Sequence, residues 1–152
     1  MQVKICYRKS VPAKKRSASN PARRSPCPLN ASVEMLGDRW SLLIVRDIMI
    51  RGFHTFQQFL DSDEKIATNI LADRLRKLEQ SGIIKTSRNP ADGRKLTYSL
   101  TRKGIELAPV LAEMVLWAAD HEKTGNQALV RELRRDKAAV IERTRLLWSS
   151  SS

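Results

Sequence analysis

The stretch from Thr55 to Thr101 constrains this chain more than any other, because its apolar period changes twice at well-marked places. A short apolar run (Phe56, Phe59, Leu60) precedes a polar turn, Asp61-Ser62-Asp63-Glu64-Lys65. In a second run, Thr68 to Gln80, Leu71, Leu75 and Leu78 stand at i, i+4 and i+7. That spacing predicts a helix with one narrow apolar stripe turned to a core. Thr68, Asn69, Asp73 and Arg76 fall away from the stripe. After Ser81-Gly82 the period becomes extended over Ile83 to Arg88. Asn89-Pro90-Ala91-Asp92-Gly93 is a turn dense in chain breakers, and a second strand runs from Arg94 to Leu100.

Two helices around a turn, followed by a basic-tipped hairpin, predict a winged helix-turn-helix: a mainly α fold with a small antiparallel β wing. In that architecture the second helix enters the major groove, and the hairpin lies against the backbone or the minor groove. The charge points the same way. The chain carries 28 Lys and Arg against 16 Asp and Glu, a net of +12. Residues 1–28 hold eight of the basic residues and no acidic one, which leaves 20 against 16 in the remainder. Within that remainder, residues 65–103 hold ten basic and three acidic. The excess therefore falls on the N-terminal segment and on the helix-plus-hairpin. A local basic field suits a polyanion, because phosphate contacts release condensed counterions. The plain alternative is a solvated surface.

At 152 residues the chain suits one domain with appendages, and 41% apolar content suffices for a core. Residues 1–25 are rich in Ser, Pro, Ala, Lys and Arg and predict a disordered basic tail. It would be either a phosphate-clamping arm or sequence upstream of the true start. Residues 26–124 predict the winged helix-turn-helix with its dimerisation helices, and residues 125–152 a helical extension. Pro28 suits the first turn of a helix that Gly37 ends. Asp38 is placed to cap a largely buried helix from Arg39 to about Arg51, with Ile50 among its apolar residues. Thr55 caps the next helix. Thr101 caps a long one to about Lys123, whose apolar residues are too many for one face of a monomer's surface helix. Self-association would supply the second contact. No apolar run reaches membrane-span length. Without a signal-type segment the expected location is cytoplasmic, on the bacterial nucleoid. Two cysteines and two histidines in no metal-type spacing predict neither metal nor cofactor.

Several segments occur in order: Cys27-Pro28, Leu36-Gly37-Asp38-Arg39-Trp40-Ser41-Leu42-Leu43-Ile44, Phe56-Gln57-Gln58-Phe59, Ile66 to Leu75, Leu78-Glu79 with Gly82-Ile83, and Tyr98-Ser99-Leu100-Thr101 with Lys103-Gly104. Together, over roughly residues 26–122, they resemble the HxlR family of bacterial winged helix-turn-helix transcriptional regulators. The resemblance implies a homodimer built by the N-terminal helix and the long helix after the wing, bound to a pseudo-palindromic operator. The basic tail and the helix after Gly125 extend beyond the usual family domain and receive no role from it.

Residues near the start of the second helix reach base edges in this docking mode. Thr68 and Asn69 are the first candidates, since Asn pairs with adenine in a bidentate way and Thr suits several edges. The alternative makes Thr68 a cap and Asn69 a first-turn polar residue. Asp73 and Arg76 follow along the exposed side, and Arg76 suits guanine or a phosphate. Arg74 and Lys77 suit phosphates or ion pairs. On the wing, Arg94 and Lys95 sit at the tip and Arg88 on the opposing strand. Leu29, Val33, Leu107, Leu111, Met114, Val115 and Trp117 are the candidate dimer interface. Cys27, just before a helix and near Arg23 and Arg24, stands where a helix N-terminus favours a thiolate. Its placement is similar to the sensor cysteine of thiol-based family members; an inert cap is the alternative. The expected partners are thus double-stranded DNA, a second copy, and a small-molecule or oxidant effector. The expected role is a repressor, because an operator overlapping a promoter blocks polymerase without activator contacts. A non-specific RNA- or chromosome-coating protein is the competing class. The 5% aromatic content, at core-like positions, argues against it, since RNA modules interleave aromatics for base stacking. No phosphate loop, nucleophile elbow or carboxylate pair marks an enzyme.

Overall fold

Two residues three positions apart, Asp38 and Ser41, start the main body of the chain. The Asp38 carboxylate accepts hydrogen bonds from the backbone N–H of Trp40 (2.8 Å) and of Ser41 (3.0 Å) and from the Ser41 hydroxyl. That cap turns the chain into helix α2 (Ser41–Arg46). The computed structural model describes residues 25–88, 92 and 95–149. They belong to two compact units, one ending at Gly37 and one from Asp38 onward. The first holds α1 (Pro28–Leu36), with Pro28 in its first turn. Gly37 closes α1 with an ordinary right-handed backbone. Its missing side chain matters for space instead, because a Cβ there would lie 2.5 Å from the Val33 carbonyl oxygen.

The second unit continues from α2 into a π-helical segment, Asp47–Arg51, where the sequence predicts one continuous α-helix. The wider turn is closed by Gly52 in the left-handed region (φ 69°), a conformation glycine adopts without steric penalty. Val45, Ile48 and Met49 are buried along this element, but Ile50 is 54% exposed, contrary to expectation: the π-turn rotates it out of the core. Thr55 caps α3 (Phe56–Leu60) through a reciprocal box with Gln58. Helix α4 (Thr68–Gln80) has the predicted bounds, and its Leu71, Leu75 and Leu78 are buried. Each such side chain contributes about 1.5–3 kcal/mol by leaving water.

Strands β1 (Ile84–Arg88) and β2 (Leu96–Leu100) form the antiparallel wing, with Ile84 opposite Leu100 and Arg88 opposite Leu96. Thr55 bridges Thr97, and the Tyr98 N–H donates to the His54 carbonyl (2.8 Å), so β2 is also tied to the chain just before α3. Tyr98 meets Phe59 edge-to-face at 6.1 Å, and Phe59 meets Phe53 the same way.

The single long helix expected after Thr101 is two helices. Thr101 caps only α5 (Arg102–Ile105), and α6 (Ala108–His121) starts afresh with Pro109 in its first turn. Proline has no N–H to give the preceding turn, which is why the break falls there. Helix α7 (Gln127–Ser149) bends at Asp136, whose carboxylate accepts from the Ala139 N–H (2.9 Å) and restarts the helix. It packs along α6 around Ala112, Leu133 and Val140, with Val115, Leu116, Leu129 and Ile141 around them. Ion pairs Arg134–Asp120 and Lys137–Glu113 join the two helices, and the Trp148 indole N–H donates to the Met49 carbonyl (3.2 Å). No helix among the described residues is long and apolar enough to cross a membrane.

Candidate nucleic-acid interface

The underside of α4 is fixed by its buried leucines, which leaves Thr68, Asn69, Arg76 and Lys77 turned outward. The residue that caps α4 is Ala67, in extended conformation and without a side-chain hydrogen bond, so Thr68 is not a cap but the first helical residue. Thr68 and Asn69 are both exposed, and among the described residues neither side chain has a hydrogen-bond partner. One turn further, Asp73 gathers three cations. Arg76 reaches its Oδ1 at 2.6 Å, and Arg74 and Lys77 reach its Oδ2 at 2.8 and 2.9 Å. The hydrogen bond from Lys77, then that from Arg76, holds the Asp73 carboxyl below the usual carboxylate range.

Arg74 has a second partner, Asp38, at 3.1 Å. Burial pushes the Asp38 carboxyl up, but the Ser41 hydroxyl, the two backbone N–H groups and Arg74 together bring it below its ordinary value. Arg74 therefore staples α4 to the start of α2, while Arg76 and Lys77 stay exposed. A second set of charges fixes the turn between α3 and α4. Arg46 bridges Asp47 and Glu64 (2.7 Å each), and Arg51 lies 3.4 Å from both Asp47 and Asp63. Burial raises the Asp47 carboxyl despite these cations. Neither Asp38 nor this cluster was singled out as functional from the sequence; only the i, i+4 spacing of Asp47 and Arg51 hinted at a pair.

On the wing, Arg88 is exposed at the outer end of β1, and Lys95 is exposed with Asp92 3.7 Å from its ammonium. Arg94 lies outside the described residues. The wing is anchored to α5 at its base: the Thr101 hydroxyl donates to the Gly82 carbonyl (2.6 Å), and the Thr101 N–H donates to that of Ile83 (3.0 Å). The Lys103 ammonium donates to the Ser81 carbonyl (2.6 Å), at the end of α4.

The candidate interface residues divide. Leu29 and Val33 are exposed on α1, and Met114 and Trp117 on α6, where Val110 joins them at helical spacing. Leu107 is half-buried at the start of α6, and Leu111 and Val115 line a small apolar crevice beneath α7. Cys27 is half-buried at the N-cap of α1; its N–H donates to the Ser25 hydroxyl oxygen (3.1 Å), and its carbonyl accepts from Ala31 (3.1 Å).

A helix-turn-helix with this wing and this ordering of caps has a counterpart among known families: the family model described as HxlR-like helix-turn-helix matches residues 35–126. The chain belongs to the HxlR family. Its relatives are transcriptional regulators. One is sll1512 of Synechocystis, an HTH-type regulator of uncharacterised role, 38% identical over 88 residues; the match covers 58% of this chain and 64% of that protein. Another is YodB of Bacillus subtilis, 32% identical over 107 residues, with 70% of this chain and 95% of YodB covered. The reduced form of YodB superimposes with a TM-score of 0.54 over 66% of this chain and 98% of its own, at 33% identity. The redox regulator HypR in its oxidised form gives 0.57 over 64% and 100%, at 27% identity. YodB is also known in a quinone-bound form. The HxlR match ends at Asn126, so α7 lies beyond the matched domain.

Proposed function

We propose that this HxlR-family chain is a homodimeric, sequence-specific repressor that seats α4 in the major groove of a pseudo-palindromic operator and lays its wing along the flanking backbone. The observation that carries this reading is the exposed, unpartnered pair Thr68 and Asn69 at the start of α4, with Arg76 and Lys77 further along the same helix. Asn69 suits an adenine edge, and Thr68 a hydroxyl or methyl contact. The uncapped N–H groups of the first turn suit a phosphate. Arg88 and Lys95 add cations on the wing, and Arg94 belongs to the same turn. A second copy covers Met114 and Trp117 on α6, and Leu29 and Val33 on α1. The two α4 helices then read half-sites about one helical turn apart. The chain acts by occupying DNA, without catalysis, and works in the cytoplasm where the DNA lies.

Regulation enters through Cys27. Its relatives YodB and HypR have reduced, oxidised or quinone-bound forms. The half-buried thiol at the start of α1 is where an oxidant or electrophile would act on this chain. The test is selection of preferred duplexes from a random pool by the purified chain, with and without peroxide or a quinone. Enrichment of paired half-sites, released by oxidant in the wild type and retained in Cys27→Ser, is the expected result. A recovered pool no different from the input would instead mean a coating protein.

A further inference from the structure

A helix held at one end swings, and a second attachment stops it. The helix α6 follows the break at Glu106-Leu107, and the segment fastened to the base of the wing is α5, through Thr101. Among the described residues, α6 packs chiefly along α7. The pairs Arg134–Asp120 and Lys137–Glu113 pin α7 along the later part of α6. The far end of α7 then returns to the body of the chain, where the Trp148 indole N–H donates to the Met49 carbonyl at 3.2 Å. Met49 lies in the π-helical segment, near an end where carbonyls run out of helical donors, and Trp148 supplies one. On either side of Met49, Arg46 and Arg51 hold the turn before α4, through Glu64 at 2.7 Å and Asp63 at 3.4 Å. The helix α7 therefore joins the helix with the exposed Val110, Met114 and Trp117 to the segment that seats the recognition helix.

Resting on the dimeric DNA-binding reading above, we propose that α7 is a brace: it fixes the angle between α6 and α4, and with it the half-site spacing that the dimer accepts. Trp148 is its positioning residue. The geometry gives the brace something to do. With 14 residues, α6 is about 21 Å long. A swing of about 10° around its start moves its far end by about 3.6 Å, on the scale of the ~3.4 Å rise of one base pair. Because the two copies meet on α6, slack there appears as misplacement of each α4. A half-site read alone is untouched by such slack, since Thr68 and Asn69 move with their own helix. Slack of that size blurs discrimination between operators whose half-sites differ in separation, and the contact from Trp148 to Met49 removes it.

The experiment compares wild type, Trp148→Phe and Trp148→Ala by fluorescence anisotropy. The duplexes carry the selected half-sites at the recovered separation, at one and two base pairs more or less, and as one half-site alone. Wild type should lose about tenfold or more in affinity for each base pair away from the recovered separation. Trp148→Ala should cut that penalty by roughly three- to tenfold. Trp148→Phe, which keeps a ring and loses the N–H, should cut it in the same direction. Affinity for the lone half-site should stay within about twofold in all three. Circular dichroism reports folding, and sedimentation velocity reports the dimer. A spacing profile unchanged in both variants overturns the proposal. So does an equal loss on every duplex, the lone half-site included, which would make Trp148 a support of α4 itself. If neither variant folds or dimerises, Trp148 is a core residue and its positioning role is lost. If wild type prefers its half-site but tolerates every separation, the brace fails and the regulator reading stands. If wild type prefers no duplex, the regulator reading fails and the brace with it.

Discussion

Adding one methyl group at Gly104 tests how the wing is held against the recognition unit. At a solvent-facing helical position, glycine to alanine stabilises by about 0.8–1 kcal/mol. Here the new Cβ would lie 2.3 Å from the Ile83 carbonyl oxygen and 3.0 Å from Leu100 Cδ2. A tolerable carbon–oxygen contact needs about 3.3 Å, so α5 must withdraw by roughly 1 Å. The obstacle is backbone at the first residue after the left-handed Gly82, and no rotamer change relieves it. Withdrawal stretches the two hydrogen bonds from Thr101 to Gly82 and Ile83, each worth about 0.5–1.5 kcal/mol net. Overpacking substitutions of this kind cost about 1–3 kcal/mol net, and Gly104→Ala should destabilise by that much. For a chain of this size that is a fall of about 2–12 °C in Tm. Thermal unfolding followed by circular dichroism measures it, with Gly125→Ala as control, since a Cβ at Gly125 meets nothing within 4 Å. A Gly104→Ala protein melting at or above wild type would refute the claim that this close approach sets the base of the wing.

Trp117→Glu should convert the dimer to a monomer at micromolar concentration without loss of helicity, because Trp117 is 64% exposed, with its ring against His121 of its own helix; sedimentation velocity decides it. Lys95→Ala and Arg88→Ala should each weaken binding about equally on operator and random duplex and lower the salt slope by about one, as read by anisotropy; a sequence-dependent loss would make either a base contact. Asp38→Asn should lower stability by about 1 kcal/mol near pH 6. Because the folded carboxyl lies below its ordinary value of 3.8, the stabilisation it supplies is complete above that value and is lost as pH falls through the folded value. The gap between wild type and variant in thermal melts should therefore close on acidification below 3.8, and a gap constant down to pH 2.5 would remove Asp38 from its capping role.

Local signals made much of this fold legible. The i, i+4, i+7 leucines located α4 to the residue, Thr55 marked the start of α3, and the breakers at residues 89–93 separated two strands. What escaped the sequence depends on tertiary context. The π-turn at Asp47–Arg51 leaves no compositional mark; its charges close only in three dimensions, Arg46 and Arg51 on Asp47 and Arg46 also on Glu64. The break at Glu106-Leu107 was marked by Pro109, but the apolar run across it masked the signal. Lys65 adopts φ 50°, a left-handed backbone that nothing in Asp61–Lys65 announces; its N–H is held by the Ser62 carbonyl at 3.1 Å. At the interface, sequence could name Thr68, Asn69, Arg76 and Lys77 as outward-facing, since periodicity assigns the face. It could not see that Asp73 binds two of them or that Arg74 turns back to Asp38, because ion-pair choice depends on side-chain reach across elements.

The apolar surplus on α6 resolves once its residues are placed around the helix at 100° per step. Ala108, Ala112 and Val115 fall on one side, and Val110, Met114 and Trp117 fall roughly opposite. The first set is covered by α7, through Leu129, Leu133, Val140 and Ile141. The second set stays exposed, at 44%, 49% and 64%. One helix thus carries two apolar faces back to back, one used within the chain and one exposed. Since α7 begins just where the HxlR match ends, its packing replaces solvent on a face that the matched domain alone leaves bare. The ion pairs Arg134–Asp120 and Lys137–Glu113 flank that contact and fix the antiparallel register of α7 on α6, because a shift of one turn would part both pairs at once. The surplus therefore does not by itself measure the size of a dimer interface. What α6 leaves exposed is the Val110–Met114–Trp117 stripe, which is why a charge at Trp117 tests association while one at Val115 would test folding.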